Sequence, residues 1–224
     1  MSDEGDRLRP WTVSASRITL ADRWLRVRTD DCLTAEGVEV SPYHVIEAAD
    51  WNCTVALTHD LRLVLIREYR HARGIVIDGL PGGVVEASDS SAEIGARREL
   101  LEETGYGGGR FLPVLTTYPD PANFTNTAVG FLALDVEPKG PQALDTAESI
   151  DVVLADFPTV MKQLSSGELR MHAVHVAALW SAAARIMQDT VPGTGALREQ
   201  LKSALYPSDQ ANLTKRPTPE AVGG

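Results

Sequence analysis

Two runs rich in β-branched and aliphatic residues, 52–58 and 61–69, stand either side of a His59-Asp60 turn. Runs of this length and composition between turn residues read as the two strands of a hairpin. A Leu80-Pro81-Gly82-Gly83 turn follows, and then Ile94, Ala96, Leu100 and Leu101, which at helical spacing would form the burying side of a short helix. Ser90 or Ser91 can cap that helix, Ser90 with Glu93 matches a capping box, and Gly105 supplies the stop. Further strands are expected at 111–115, 128–136 and 150–155, and helices at 157–165 and 173–187. This order predicts an α/β fold with a mixed sheet covered by helices.

Ahead of the hairpin, residues 12–20, 24–30, 38–40 and 43–47 read as strands of a small antiparallel β subdomain. Arg26 and Arg28 alternate with Leu25 and Val27, giving one strand a dry face and a wet or paired face. The subdomain has few large apolar residues and is expected to pack on the main core or on a second subunit. The domain division is 1–48, 49–190, and 191–224 as a short helix and flexible tail. From about residue 206 the chain is rich in Pro, Gly, Thr and charge, too little apolar surface to offset ordering entropy.

A formal charge of -10 over 224 residues argues against a nucleic-acid surface, and no segment interleaves basic with aromatic residues. A small anionic ligand stays open if a metal screens it. The two cysteines, Cys32 and Cys53, have no zinc-site spacing and read as buried thiols of a reducing compartment. No basic leader precedes an apolar run and no segment is long and apolar enough to span a bilayer, so a cytoplasmic protein with no membrane partner is expected.

The chemistry concentrates on the short helix. Glu99 and Glu103 lie one turn apart on one face, with Glu102 three positions from Glu99. Like charges so placed repel by a few tenths of ~1 kcal/mol, and a divalent cation reverses the sign. Mg2+ suits an open, all-oxygen cluster completed by water and phosphate. Arg98 could orient a neighbouring carboxylate through its fork of donors. The competing reading makes the three glutamates the solvent side of an amphipathic helix.

Gly83 together with Arg98-Glu99-Leu100-Leu101-Glu102-Glu103-Thr104-Gly105-Tyr106 resembles the signature of the Nudix hydrolases. Fourteen residues (84–97) separate Gly83 from Arg98 where the signature has thirteen, so Asp89 or Ser90 falls at its first glutamate, with Glu86 a nearby spare. The resemblance implies an α/β/α sandwich with Glu99, Glu102 and Glu103 as ligands of Mg2+ or Mn2+, Glu102 and Arg98 in the catalytic machinery, and Gly82 and Gly83 forming a tight loop at the substrate. The reaction implied is attack of water on a phosphorus of a nucleoside diphosphate derivative.

Within the family the layout is similar to the ADP-ribose and nucleotide-sugar pyrophosphatase branch, on the N-terminal strands, Arg67-Glu68-Tyr69-Arg70, the Leu-Pro-Gly-Gly entry and a late-loop Glu148. That branch implies a homodimer built through the N-terminal strands, and Glu148 as the group that activates water or completes the metal shell, with Asp145 as fallback. It commonly has Glu where this chain has Gly79. Arg67 and Arg70 have the geometry to pair with phosphate or ribose oxygens. In the Pro-stiffened loop 119–126, Phe124 or the preceding Tyr118 could stack on a base and Asn126 could hydrogen-bond base or ribose; a plain rigid connection is the alternative. His172 and His175 lack a third ligand and read as a surface or partly buried pair, Trp180 as a packing residue, and no Gly-x-Ser-x-Gly elbow is present. The expected function is metal-dependent hydrolysis of ADP-ribose or a related nucleotide sugar to two monophosphates. A non-catalytic nucleotide-sugar binding module and a nucleoside triphosphate pyrophosphohydrolase are the alternatives.

Overall fold

A computed structural model describes residues 8–207; the flexible tail expected at the C-terminus lies, beyond residue 207, outside the described residues. Strands β1 (Thr12–Ala21), β2 (Arg26–Leu33) and β3 (Glu39–Ile46) form an antiparallel sheet in that order, the two expected pieces at 38–40 and 43–47 being one strand. Polar pairs hold it together. Asp30, 3% exposed, accepts from Ser16 Oγ at 2.6 Å and from Arg28 Nε at 3.0 Å, while Arg26 and Arg28 both reach Glu47. The paired face expected from Arg26 and Arg28 is therefore present. β1 is the outer strand and is exposed along its whole length.

The sheet meets the rest of the chain through β3. Ile46 N–H donates to Asn123 O at 2.7 Å, Thr125 N–H donates to Ile46 O at 3.1 Å, and Asn123 Nδ2 donates to His44 O at 3.0 Å. Loop 119–126 is thus the surface on which the N-terminal sheet is seated.

The second sheet is built from β4 (Trp51–Thr58), β5 (Arg62–Arg70), β6 (Ile75–Gly79), β7 (Tyr106–Gly107), β8 (Arg110–Thr117), β9 (Ala128–Pro138) and β10 (Ile150–Asp156), with helices α1 (Ala92–Thr104), α2 (Phe157–Ser166), α3 (Ala173–Met187) and α4 (Gly195–Leu205). The path runs β10-β5-β4-β9-β7, with β6 on β5 and β8 on β9. β4 and β9 are parallel and central; the other pairings are antiparallel, so the sheet is mixed. Every β4 residue after Trp51 is buried, because both faces are covered. Alternation sends Val55 and Leu57 into the core shared with α2, α3 and α4, and Ala56 with Val64 into the core shared with α1. The result is an α/β/α sandwich. Trp180 packs against the larger core, and Cys32 and Cys53 are free, buried thiols. Among the described residues no helix is long and apolar enough to cross a membrane.

Three local expectations are corrected. Ser91, not Ser90, caps α1, accepting from Ile94 N–H at 3.3 Å, and Glu93 pairs with Arg97 instead of closing a capping box. The buried strip of α1 is Gly95, Ala96, Leu100, Glu103 and Thr104, whereas Ile94 and Leu101 are exposed. The strip is rotated because the helix turns its acidic side toward the sheet. β6 and β7 were not anticipated: β6 carries only the three-residue apolar run Ile75-Val76-Ile77 in a five-residue strand, and β7 has two residues.

Candidate active site

The turn before α1 is built onto β4. Thr54 N–H donates to Pro81 O and Asn52 N–H to Gly83 O, both at 2.9 Å, so residues 81–83 lie along the end of a fully buried strand. Gly82 has φ +156°, and a Cβ there would stand 2.2 Å from Asn52 O; only glycine permits this approach. At Gly83 a Cβ would stand 2.5 Å from Glu99 Oε1, so the missing side chain is the space the Glu99 carboxylate occupies.

Gly82 N–H donates to Glu103 Oε2 at 2.8 Å. Glu103 is 6% exposed, and burial pushes its carboxyl up to about 8, with the nearby charges of Glu99, Glu68 and Glu148 adding to the Gly82-opposed shift. Burial also raises Glu99, against the pull of Arg98, and raises Glu68, against the pull of Arg70. Arg98 Nη1 lies 3.0 Å from both Glu99 Oε1 and Glu102 Oε2, while its Nη2 lies 3.1 Å from Asp89 Oδ2. The Asp89 hydrogen bond is the main cause raising Arg98 above its ordinary value. Glu148, in an exposed loop, accepts from Asp145 N–H at 3.0 Å and is close enough to act on three of the glutamates.

The glutamates at 68, 99, 102, 103 and 148 therefore gather on one side of the sheet. Among the described residues no group of three or more His, Cys, Asp or Glu is spaced to hold a metal ion, and Arg98 takes oxygens of Glu99 and Glu102. The donor set nonetheless fits a hard divalent cation: it is all oxygen, and buried carboxylates held above their ordinary range gain from a nearby positive charge.

Beside the carboxylates opens a cleft of ≈ 540 Å³ lined by Trp51, Arg70, Pro119, Asp120, Phe124, Asn126, His172, Ala173 and Val174. Arg70 joins the two features, with Nη2 2.5 Å from Glu68 Oε1. Phe124 and Asn126 are in the cleft wall as expected from loop 119–126, and Asn126 Nδ2 donates to Ala49 O at 3.0 Å. Tyr118 is exposed and outside the lining. Arg67 is not brought to the cleft. It pairs with Asp78 at 2.6 Å across β5 and β6, and strand alternation puts it opposite Glu68 and Arg70. His172 and His175 are a contacting pair, ring centroids 5.2 Å apart; His172 is at the surface as expected and lines the cleft, whereas His175 is fully buried beneath it.

Glu68 and Trp51 were not singled out as site residues from sequence, and His172 was weighed only as a metal ligand. For Glu68 a signal existed, since period two puts it on the same strand face as Arg70. Trp51 and His172 meet only in three dimensions, ring centroids 5.5 Å apart.

Comparison with known proteins bears on the family and the fold. Residues 11–46 match the nucleoside diphosphate sugar hydrolase N-terminal domain. A crystal structure of an ADP compounds hydrolase superposes with a TM-score of 0.71 at 22% identity, covering 83% of this chain and 98% of that one, which establishes likeness of fold. The Caenorhabditis elegans protein named "Putative nudix hydrolase 2" is 32% identical over 113 residues, 47% of this chain. The chain spans about half the length of that curated relative, 50%. The NUDIX domain matches residues 52–171, more than half of the chain and the whole stretch from β4 through the acidic helix to the edge of α3, so the chain belongs to the Nudix family.

Proposed function

We propose that this protein is a divalent-metal-dependent hydrolase that splits the diphosphate bond of a nucleoside diphosphate derivative, ADP-ribose or a related nucleotide sugar, into two monophosphates. The observation that carries the reading is the Arg70–Glu68 pair, which makes the carboxylate cluster and the aromatic cleft one continuous site. The match of residues 11–46 to a nucleoside diphosphate sugar hydrolase N-terminal domain supports the substrate class, as does likeness to a structure titled an ADP compounds hydrolase.

In this reading Trp51 and Phe124 receive the nucleoside, Arg70 binds phosphate oxygens, and the turn at Gly82 and Gly83 lets the diphosphate approach the backbone. Glu99, Glu102 and Glu103 would hold Mg2+ or Mn2+, which when bound neutralises the diphosphate and acidifies water. Arg98 aligns Glu99 and Glu102, and Glu148 takes the proton from the attacking water. Arg67, engaged by Asp78, has no part in binding.

A second copy of the chain is the partner proposed for the N-terminal sheet. Trp11 and, on β1, Val13, Ile18 and Leu20 are 43–52% exposed, apolar side chains along the outer strand of the sheet. A dimer by solution mass, converted to monomer by Ile18→Lys with Val13→Lys, is expected; a monomeric native chain overturns the pairing. We also assign a cytoplasmic location, on the free buried thiols.

The deciding experiment incubates the whole chain with ADP-ribose, NADH, nucleotide sugars, dinucleoside polyphosphates and nucleoside triphosphates under Mg2+ or Mn2+. AMP and ribose 5-phosphate from ADP-ribose, lost in Glu102→Gln, are expected. Binding without product would instead make the chain a regulatory module, and pyrophosphate from triphosphates a triphosphatase.

A further inference from the structure

We infer that His175 is a positioning residue: its hydrogen bond to the Leu80 amide holds the 80–83 turn where Gly82 meets Glu103, tying the aromatic cleft to the carboxylate cluster. The catalytic consequence rests on the hydrolase reading above; the positioning rests on geometry alone.

His175, 1% exposed, accepts at Nδ1 from Leu80 N–H at 3.1 Å. Its ring lies against Gly79, where a Cβ would stand 3.1 Å from Cε1 and 3.2 Å from Nδ1, so the strand-end glycine is the space the imidazole uses. The ring stacks on Trp51, centroids 5.2 Å apart at 15°, and touches His172 at 5.2 Å; both neighbours line the cleft. Two residues beyond Leu80, Gly82 N–H reaches Glu103, and the next residue, Gly83, lies against Glu99. One short path therefore runs from cleft wall through His175 and the turn to two of the acidic side chains.

The imidazole is there as an acceptor. With Nδ1 accepting, the proton sits on Nε2, which is buried and has no partner among the described residues. That unpaired donor carries a desolvation cost which leucine in the same space would avoid, so filling the core does not explain the residue. Burial, with His172 and Arg70 nearby, drives its pKa down to about 3, which keeps Nδ1 free to accept at neutral pH.

The test uses His175→Leu, His175→Asn, Gly79→Ala and, as a control truncation elsewhere on α3, Ile186→Val. Amide hydrogen exchange at Leu80 and Gly82 is followed by NMR, and Mn2+ binding by water-proton relaxation. His175→Leu is expected to accelerate exchange at both amides and to weaken Mn2+ binding about tenfold, the scale of outer-shell losses at metal sites. Asparagine, whose Oδ1 can stand in for Nδ1, should restore both, and Ile186→Val should change neither. If the leucine variant does not fold, Gly79→Ala, which pushes the ring from the other side, should loosen the same amides relative to His175→Asn. Native protection of Leu80 and Gly82 in a folded His175→Leu or Gly79→Ala chain overturns the inference, as does failure of His175→Asn to protect them. A native chain that binds no Mn2+ sinks the hydrolase reading instead, and amide exchange still decides the role of His175.

Discussion

Asp89 Oδ2 sits 3.1 Å from Arg98 Nη2, and its other oxygen faces Arg98 Nε at 3.4 Å. The pair fastens the segment between Gly83 and α1 to the helix at Arg98. Ser91 is the cap, Asp89 also accepts from Glu86 N–H at 2.9 Å, and the guanidinium has its other terminal nitrogen on Glu99 and Glu102.

Asp89→Ala should therefore act on the glutamates it never touches. With Arg98 released, Mn2+ affinity or turnover is expected to fall roughly 10–100-fold with little loss of fold, the range for groups that orient ligands from outside. Asp89→Glu should recover part of it. Titration of Mn2+ against both variants measures this, and unchanged affinity in Asp89→Ala would refute the role.

The metal-free chain should lose stability as pH rises. Glu103 titrates near 8 when folded against an ordinary 4.5, so between those values the folded chain holds a proton that the unfolded chain has released. Stability from this group is full below about 4.5 and declines toward 8; Glu68 and Glu99 shift in the same direction. Melting curves in chelator from pH 5 to 8 should slope downward, flatten in Glu103→Gln, and flatten again in native protein with Mn2+.

Adjacent glycines should fail differently. Gly82→Ala drives a Cβ into the Asn52 carbonyl at a φ that L residues rarely adopt, and should cost on the order of 1–3 kcal/mol of stability. Gly83→Ala meets only the end of the Glu99 side chain, which can swing away. It should melt near the native temperature yet bind Mn2+ about tenfold more weakly. Equal melting losses would contradict the distinction.

Arg70→Ala should raise KM for ADP-ribose on the order of 10–100-fold with a smaller change in kcat, the worth of charge-assisted hydrogen bonds to phosphate. Lysine should rescue it poorly, since a point charge cannot pair with Glu68 and phosphate through one planar fork. Arg67→Ala should leave both constants alone. Steady-state kinetics of the three variants separates these outcomes.

The central strands and the acidic helix could be read from the chain because their patterns are local: apolar runs at 52–58 and 128–136, and a spacing of three and four among Glu99, Glu102 and Glu103. The orientation of that helix could not. Ile94 and Leu101 look like its inner side, but the space beneath is taken by Glu103, Ala96 and Leu100, with Glu103 held inward by the Gly82 amide. The cleft was beyond a linear reading for a simpler reason, since Trp51, Phe124 and His172 come from segments some 50 to 70 residues apart. Arg67 and Arg70 illustrate the finer limit: both end the same strand, and only the pleat and the Asp78 opposite tell them apart.

Because Ile46 is laddered to Asn123 and Thr125, the jaw of the cleft that carries Phe124 is mounted on the N-terminal sheet, while the carboxylates are mounted on β5 and α1. The wall of the cleft at Phe124 is thus braced by the N-terminal sheet, whereas the wall at Trp51, Arg70 and His172 belongs to β4, β5 and the start of α3. Weakening the Ile46 ladder is therefore expected to disturb Phe124 while leaving Glu99, Glu102 and Glu103 in place.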